Sequence, residues 1–402
     1  MEPIAGTVMT YAWGSTTALP EFLGTAPDGR PQAELWLGAH PAARAEVNSR
    51  SLAEHILVDP AGVVGQRSVE RFGPRLPYLL KVLAAGQPLS LQAHPSRAQA
   101  EDGFAREERD GIELSAPHRL YRDDWPKPEM MVALGNVDAL CGFREPDQTY
   151  ALFVQLGVAG ATDLVAGLQA GGAEELRRVF GRVLSLAESD REVVAQVVTA
   201  AAEHLEAADG AGDPAFAGFT RTAVELDEHY PGDPGILAAL LMNRLGFGRF
   251  QAVYLPAGNL HAYLHGIGVE IMANSDNVLR GGLTPKHVDV EELLTVVDFA
   301  PGVPDLVPVV AESGSVWRYD TPAPEFALWR IEPGSAEAVV PAPSTGRILL
   351  VVEGAVEITD ASRTLRLGRG EAIYAYPGDR LTVRGDGVAV VAGPGLEVTR
   401  PE

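Results

Sequence analysis

Strand-like patterning runs along most of this chain and is interrupted once, between residues 147 and 246, by a block with a helical period. That interruption constrains the fold more than any other feature. Up to about residue 95, short apolar pieces recur between turns, among them AELWLGAH and PLSLQAHP, and their alternation is that of half-buried strands. In the block, VAGLQAGGAEELRRVFGRVLSLAE and REVVAQVVTAAAEHLEAA carry apolar residues three and four apart, which is the spacing of one helix face. DGAGDPAFAG (209–218) divides the block, and GDPGILAALLMNRLG predicts a helix entered through Pro234 and closed by Gly246. Strand patterning returns at Val253. TPKHVDVEELLTVV predicts one further helix, with Thr284 as N-cap and Pro285 at its first position. Beyond residue 319, RILLVVEGAVEITD, TLRLGRGEAIYAYPGDRLTV and VAVVAG are separated by Gly-containing turns, a rhythm that predicts a barrel or jelly roll.

A chain of 402 residues is long for a single core, so two or three domains are expected. No run of about 18 apolar residues is present to span a bilayer, and MEPIAGTVMTYAWGS lacks the basic start and apolar stretch of a secretory signal. A cytoplasmic protein is expected. The single cysteine, Cys141, can form neither an internal disulfide nor a thiolate metal site, so a metal here would be held by His and oxygen ligands. A net charge of −22 disfavours nucleic acid and anionic lipid as partners. A small anionic metabolite would need a few local cations, and a monomer is expected.

Arginine supplies 29 of the 32 cationic residues, and the three lysines, Lys81, Lys127 and Lys286, all fall in segments that look chemical. Lysine offers a compact ammonium of adjustable pKa where a guanidinium fork offers neither. In PLSLQAHP, a strand period of two places Ser90, Gln92 and His94 on one face and Leu89, Leu91 and Ala93 on the other. WPKPEM holds Lys127 and Glu129 on the same side of a backbone stiffened by two prolines. PAGNLHAY begins a strand at His261, with His265 its strand-mate by spacing, and one of the two histidines is expected to be structural. Glu270, Asp276, Asn277 and Arg280 follow as a polar cluster, and Lys286 would lie in the first turn of the helix starting at Pro285, a seat for phosphate. If the three segments meet, Gln92, His94, Glu129 and His261 offer two imidazoles, one carboxylate and one amide oxygen, a set suited to four-coordinate Zn²⁺ that leaves about one unit of positive charge on the site.

In YAWGS, AELWLGAHP, LSLQAHP, KPEM with ALCGF, and PAGNLHAY through SDNVLRGGLTPK, the chain resembles the type I mannose-6-phosphate isomerases, zinc-dependent proteins of the cupin class. The resemblance implies a mainly β fold of two cupin-type jelly-roll barrels with an inserted helical domain. Its parts would be a metal-bearing barrel from 1–146 and 247–318, the helical insertion at 147–246, and a C-terminal barrel without metal at 319–402. It implies one Zn²⁺ per chain on Gln92, His94, Glu129 and His261, and Arg280, Lys127, Asp276 and Glu270 around the reacting sugar. Lys127 with Asp276 is the expected acid–base pair, with Glu270 as the alternative base. Lys286, Ser90, Lys81 and Trp13 are the expected contacts to substrate and phosphate. Two departures stand out: Pro126 precedes the lysine where relatives often carry histidine, and Ser96 follows His-Pro where an acidic or amide residue is usual.

The reaction implied is an aldose–ketose isomerisation of mannose 6-phosphate and fructose 6-phosphate through an enediol. The alternative is another metal-dependent cupin that acts on or senses a sugar phosphate. An Fe(II) oxygenase would want two histidines, one carboxylate and open positions, and Gln92 as a fourth ligand counts against it.

Overall fold

The computed structural model describes residues 1–207 and 213–396. About 30% of the chain is helix and 31% strand, so the expectation of a mainly β fold is corrected to a mixed one. Part of the difference lies outside the helical block, where helices Leu52–Val58, Pro60–Val64 and Gln66–Phe72 fall within the supposed strand region and Arg97–Arg109 just beyond it. Ser96 starts the last of these. Its hydroxyl accepts the Gln99 N–H while the Gln99 side chain bonds back to the Ser96 N–H, a reciprocal cap.

The longest strand, His261–Ala273, organises a ten-stranded sheet. It runs antiparallel to Tyr78–Ala85 over its second half and to Val137–Phe143 over its first, and also pairs with Glu129–Ala133 and Gln92–Ala93. The segments that carry Lys81, Gln92, Glu129 and His261 therefore converge on one strand, and Leu279–Arg280 joins them through Gln92–Ala93. The second large sheet has nine strands, and Glu2–Ala5 joins it between Ala372–Ala375 and Glu46–Val47. The first strand of the chain is thus held by the last third of it. That sheet packs on a four-stranded sheet through Val316, Ile331, Leu349, Val351 and Val391 from one side and Val356, Ile358, Leu367 and Val383 from the other.

The helical block runs from Pro146–Leu156 to Gly235–Ala239. In Ala173–Leu184 the buried residues are Leu176, Val179, Phe180 and Val183, the face its spacing predicts. Of DGAGDPAFAG, residues 209–212 lie outside the described residues, while Asp213 caps Pro214–His229 by accepting the Ala215 N–H. The helix expected from Pro234 to Gly246 is corrected: it ends at Ala239, and Met242–Phe247 is a strand paired with Val137–Phe143. Pattern could not separate the two, since a short fully buried apolar run fits either state. The block packs on the site from behind, with Leu91, Ala93, Leu260, Ala262 and Leu279 in the same hydrophobic cluster as Val179, Phe180 and Leu237. Residues 397–402 of the C-terminal region lie outside the described residues.

Candidate metal centre and substrate cavity

Two cross-strand rows assemble the site. Gln92 lies opposite His261 on one side and Arg280 on the other, so one row across the sheet reads Arg280, Gln92, His261. A second row reads Trp36, Lys81, Glu270, Met131. Strict alternation along His261–Ala273 would send His261 and Glu270 to opposite faces, because nine positions separate them. An irregularity resolves this. Asp138 pairs with His265 but Ala139 with Tyr263, so Leu264 is an extra residue, and the bulge returns Glu270 to the face of His261 and Tyr263. Gly266 follows at φ 121°, where a Cβ would meet the Asn136 carbonyl oxygen at 2.5 Å. His265 is turned out of the site and lines a separate, smaller cavity with Asn136 and Asp138.

The resulting cavity, of about 530 Å³, is lined by Trp13, Lys81, Ser90, Gln92, Lys127, Glu129, His261, Glu270, Asp276, Arg280 and Lys286. All three lysines of the chain are among them. His94, the remaining candidate, is buried behind this wall at 1% exposure. Leu89 was expected on the opposite face with Leu91 and Ala93 but lines the cavity, because the strand proper begins only at Gln92.

The ligand atoms of His94, Glu129 and His261 lie within 4.8 Å of one another. His94 Nδ1 is 2.8 Å from the Asn277 carbonyl and His261 Nδ1 is 3.1 Å from the Asn259 carbonyl. A carbonyl only accepts, so each ring carries its proton on Nδ1 and presents an Nε2 lone pair inward. Those lone pairs face the Glu129 oxygens at 3.3 and 3.4 Å. His94 Nε2 is buried without a hydrogen-bond partner, an arrangement that costs about 1–3 kcal/mol when nothing fills it. Burial, then the nearby Lys127 charge, push the His94 imidazole down to about 4, so it stays unprotonated at neutral pH. Two lone pairs and a carboxylate aimed at one point fit a divalent cation. The Gln92 amide donates to Ser90 Oγ at 3.2 Å, which directs its N–H₂ side away from its oxygen.

Charges around this cluster are paired unevenly. Lys127 Nζ is 3.0 Å from Glu129 Oε1; burial would raise the Glu129 carboxyl, but Lys127 and His94 hold it well below the usual range. Lys81 Nζ sits between Glu270 (3.0 Å) and Glu34 (3.3 Å). Burial favours its neutral form, yet those two carboxylates and Glu129 keep it charged. The Glu270 carboxyl itself is raised, by burial first and by Glu129 and Glu34, against the pull of Lys81. At the mouth, Lys286 is lowered by burial, Arg280 and Arg122, and Arg280 by burial and Arg122. Among the described residues, no carboxylate forms an ion pair with any of these three cations.

Two expectations about the mouth change. The helix starts at Val290, capped by Asp289, which accepts the Glu292 N–H. Asp289 with Glu291 and Glu292 makes the stronger N-terminal signal, and Thr284 Oγ1 instead accepts the Lys286 N–H at 3.1 Å. Lys286 is therefore not on a helix terminus. Lys81, held between two carboxylates, stands apart from the Lys286 and Arg280 group. Residues that sequence reasoning passed over are Glu34, Trp36 and His40. All lie in AELWLGAHP, and the alternation of Glu34 and Trp36 toward one side was the available signal.

The fold and site define a mixed α/β protein with a cation-binding cluster on the wall of a charged cavity. A family model for the type I phosphomannose isomerase catalytic domain matches residues 1–146. The chain is 35% identical over 396 residues to the mannose-6-phosphate isomerase of Escherichia coli, covering 96% of this chain and 98% of that protein. It is 30% identical to the human mannose-6-phosphate isomerase over 413 residues, covering 95% of each. A crystal structure of the Salmonella typhimurium enzyme with fructose 6-phosphate and zinc superposes with a TM-score of 0.88 at 33% identity, covering 98% of this chain and all of that one. The chain belongs to the type I phosphomannose isomerase family.

Proposed function

We propose that this protein interconverts mannose 6-phosphate and fructose 6-phosphate by proton transfer through an enediol at a zinc site, with one Zn²⁺ per chain. The observation that carries the proposal is the inward convergence of His94 Nε2, His261 Nε2 and Glu129 beside an otherwise balanced set of charges. Among the cavity walls, Glu34, Glu129, Glu270 and Asp276 stand against Lys81, Lys127, Arg280 and Lys286, a formal sum of zero in a chain of −22. A dication and a phosphate monoester of about −1.5 to −2 leave that balance nearly unchanged. In the same reading, the β units are two cupin-type jelly-roll barrels, the second, beyond residue 319, without metal, and the helices between Pro146 and Ala239 form an inserted domain.

Zn²⁺ on Gln92, His94, Glu129 and His261 would supply polarisation of the sugar oxygens and about one unit of uncompensated positive charge. The chain's own groups do the rest. A base removes the C2 proton of the open-chain aldose, and the electron pair makes C1=C2 with the charge on O1. A proton passes from O2 to O1 and one returns to C1, which leaves the ketose with no net proton gained or lost. Arg280, next to Gln92 in register, is aimed to offset the enediolate charge. Lys127 and Asp276 are the proposed acid–base pair, and Glu270, with its raised carboxyl, is the alternative base.

Lys286 and Ser90 would take the phosphate, with Trp13 on the cavity wall beside the sugar. Lys81 is reassigned from the phosphate to the acid side of the cavity, since the Glu34–Lys81–Glu270 group carries a net negative charge that repels phosphate. Lys286→Ala should raise KM for mannose 6-phosphate about three- to tenfold with kcat little changed, as expected when a contact equal in ground and transition states is lost. The same variant should leave KM for unphosphorylated mannose unchanged. Equal losses for both sugars would remove Lys286 from the phosphate seat.

A further inference from the structure

His40 lies outside the cavity wall, 2% exposed, yet its ring is committed at both nitrogens. It ends a two-residue strand, Ala39–His40, that pairs with Ala43–Arg44 across the Pro41-Ala42 turn. The turn places the Ala42 N–H 3.1 Å from His40 Nδ1, so Nδ1 accepts and the proton resides on Nε2. That Nε2–H faces Asp276 Oδ1 at 3.2 Å. The ring is wedged edge-on against Trp36, with centroids 4.8 Å apart at 85°, and Trp36 donates its indole N–H to Glu34 at 2.8 Å. The Ala42 N–H thus sets the tautomer of His40, and Trp36, itself on the cavity wall, sets the orientation of its ring.

Asp276 is the opposite kind of residue, with a side chain 52% exposed on the cavity wall. Its backbone N–H is tied to Asp123 Oδ2 at 2.9 Å, but a short exposed carboxylate is free about χ1 and χ2 unless something holds it. His40 is what holds it. Burial is the largest influence on the Asp276 carboxyl and would raise it, but the His40 hydrogen bond together with the nearby Lys127 and Lys81 charges brings it below the usual carboxylate range.

We infer that His40 is a positioning residue for catalysis: it fixes the carboxylate of Asp276 in the orientation in which Asp276 exchanges a proton with the substrate. The inference rests on the assignment of Asp276 to proton transfer made above. It also accounts for the choice of histidine at this place. Asn or Ser would not reach from the turn to Asp276 while accepting from Ala42, and lysine has no acceptor for that N–H.

The test is a double-mutant cycle on the zinc-loaded full chain, read as kcat and KM for mannose 6-phosphate. His40→Phe keeps an aromatic ring against Trp36 and removes the donor; it should lower kcat about tenfold, with KM within twofold and zinc content unchanged. His40→Gln restores an N–H donor and should recover most of the loss. In an Asp276→Asn background, His40→Phe should cost almost nothing more, because both changes break one unit. A merely structural histidine would instead lose the same factor in both backgrounds, with Gln no better than Phe, and either result overturns the inference. Should the Phe variant not fold, His40→Asn, too short to reach Asp276, replaces it in the cycle with the same expected coupling. Undiminished activity of Asp276→Asn alone would overturn the underlying assignment of Asp276. Impaired Asp276→Asn beside a fully active His40→Phe would overturn only the role of His40.

Discussion

His261→Ala and His94→Ala should each leave the purified protein without zinc and with turnover reduced well beyond the roughly 10–100-fold that loss of a group behind a metal ligand costs. Each change removes one of three convergent side chains, and the Nε2 of His94 is buried with no hydrogen-bond partner among the described residues. Metal analysis of the purified variants, alongside kcat, checks this. Full zinc occupancy in both would rule out the set. His265→Ala, in the separate cavity, and His204→Ala, packed on Phe216 in the helical block, should keep both metal and activity. The size of the contrast follows from burial. Glu129 is 3% exposed and His261 4% exposed, so water cannot readily replace a missing ligand without opening the wall.

Lys127→Arg is the second large expected effect. Lys127 is 7% exposed, with its ammonium 3.0 Å from Glu129 Oε1. A guanidinium preserves the charge and cannot give up its proton in a protein, so if Lys127 transfers a proton kcat should fall by about 10²-fold or more. Lys127→Met, of similar length and uncharged, separates the two roles. Loss in both variants, with zinc content and thermal midpoint retained, assigns proton transfer to Lys127. Near wild-type turnover for Arg with loss for Met would make Lys127 a source of charge and leave Asp276 or Glu270 to move the proton. Glu270 is then the stronger base on its raised carboxyl, and Asp276 the better exposed.

The candidate site was more legible in the sequence than the fold. Eleven of the twelve residues named from the sequence line one cavity and the twelfth, His94, backs onto it, because each sits in a short segment of unusual polarity. Lysine scarcity was informative for a physical reason: all three ammonium groups face the same cavity. What pattern could not show was long-range pairing. Nothing in EPIA announces that Glu2–Ala5 pairs with Ala372–Ala375, since strand register across 370 positions has no local signature. The bulge at Leu264 was equally hidden, and it decides that Glu270 joins His261 and His265 does not. Helix ends failed where two caps competed, as with Thr284 and Asp289. His40 and Glu34 were missed because their function lies in what they hold, Asp276 and Lys81, and a partner 47 or more positions away cannot be read from spacing.

The central claim is isomerisation at a zinc site, and it is tested most directly by following fructose 6-phosphate formed from mannose 6-phosphate in a coupled assay, before and after chelation and after zinc is restored. Turnover should be present in the purified protein, vanish when the chelator has removed the metal, and return with about one Zn²⁺ per chain. It should not return in His94→Ala. Failure to form fructose 6-phosphate with zinc bound, or undiminished turnover in protein verified as metal-free, would contradict the account.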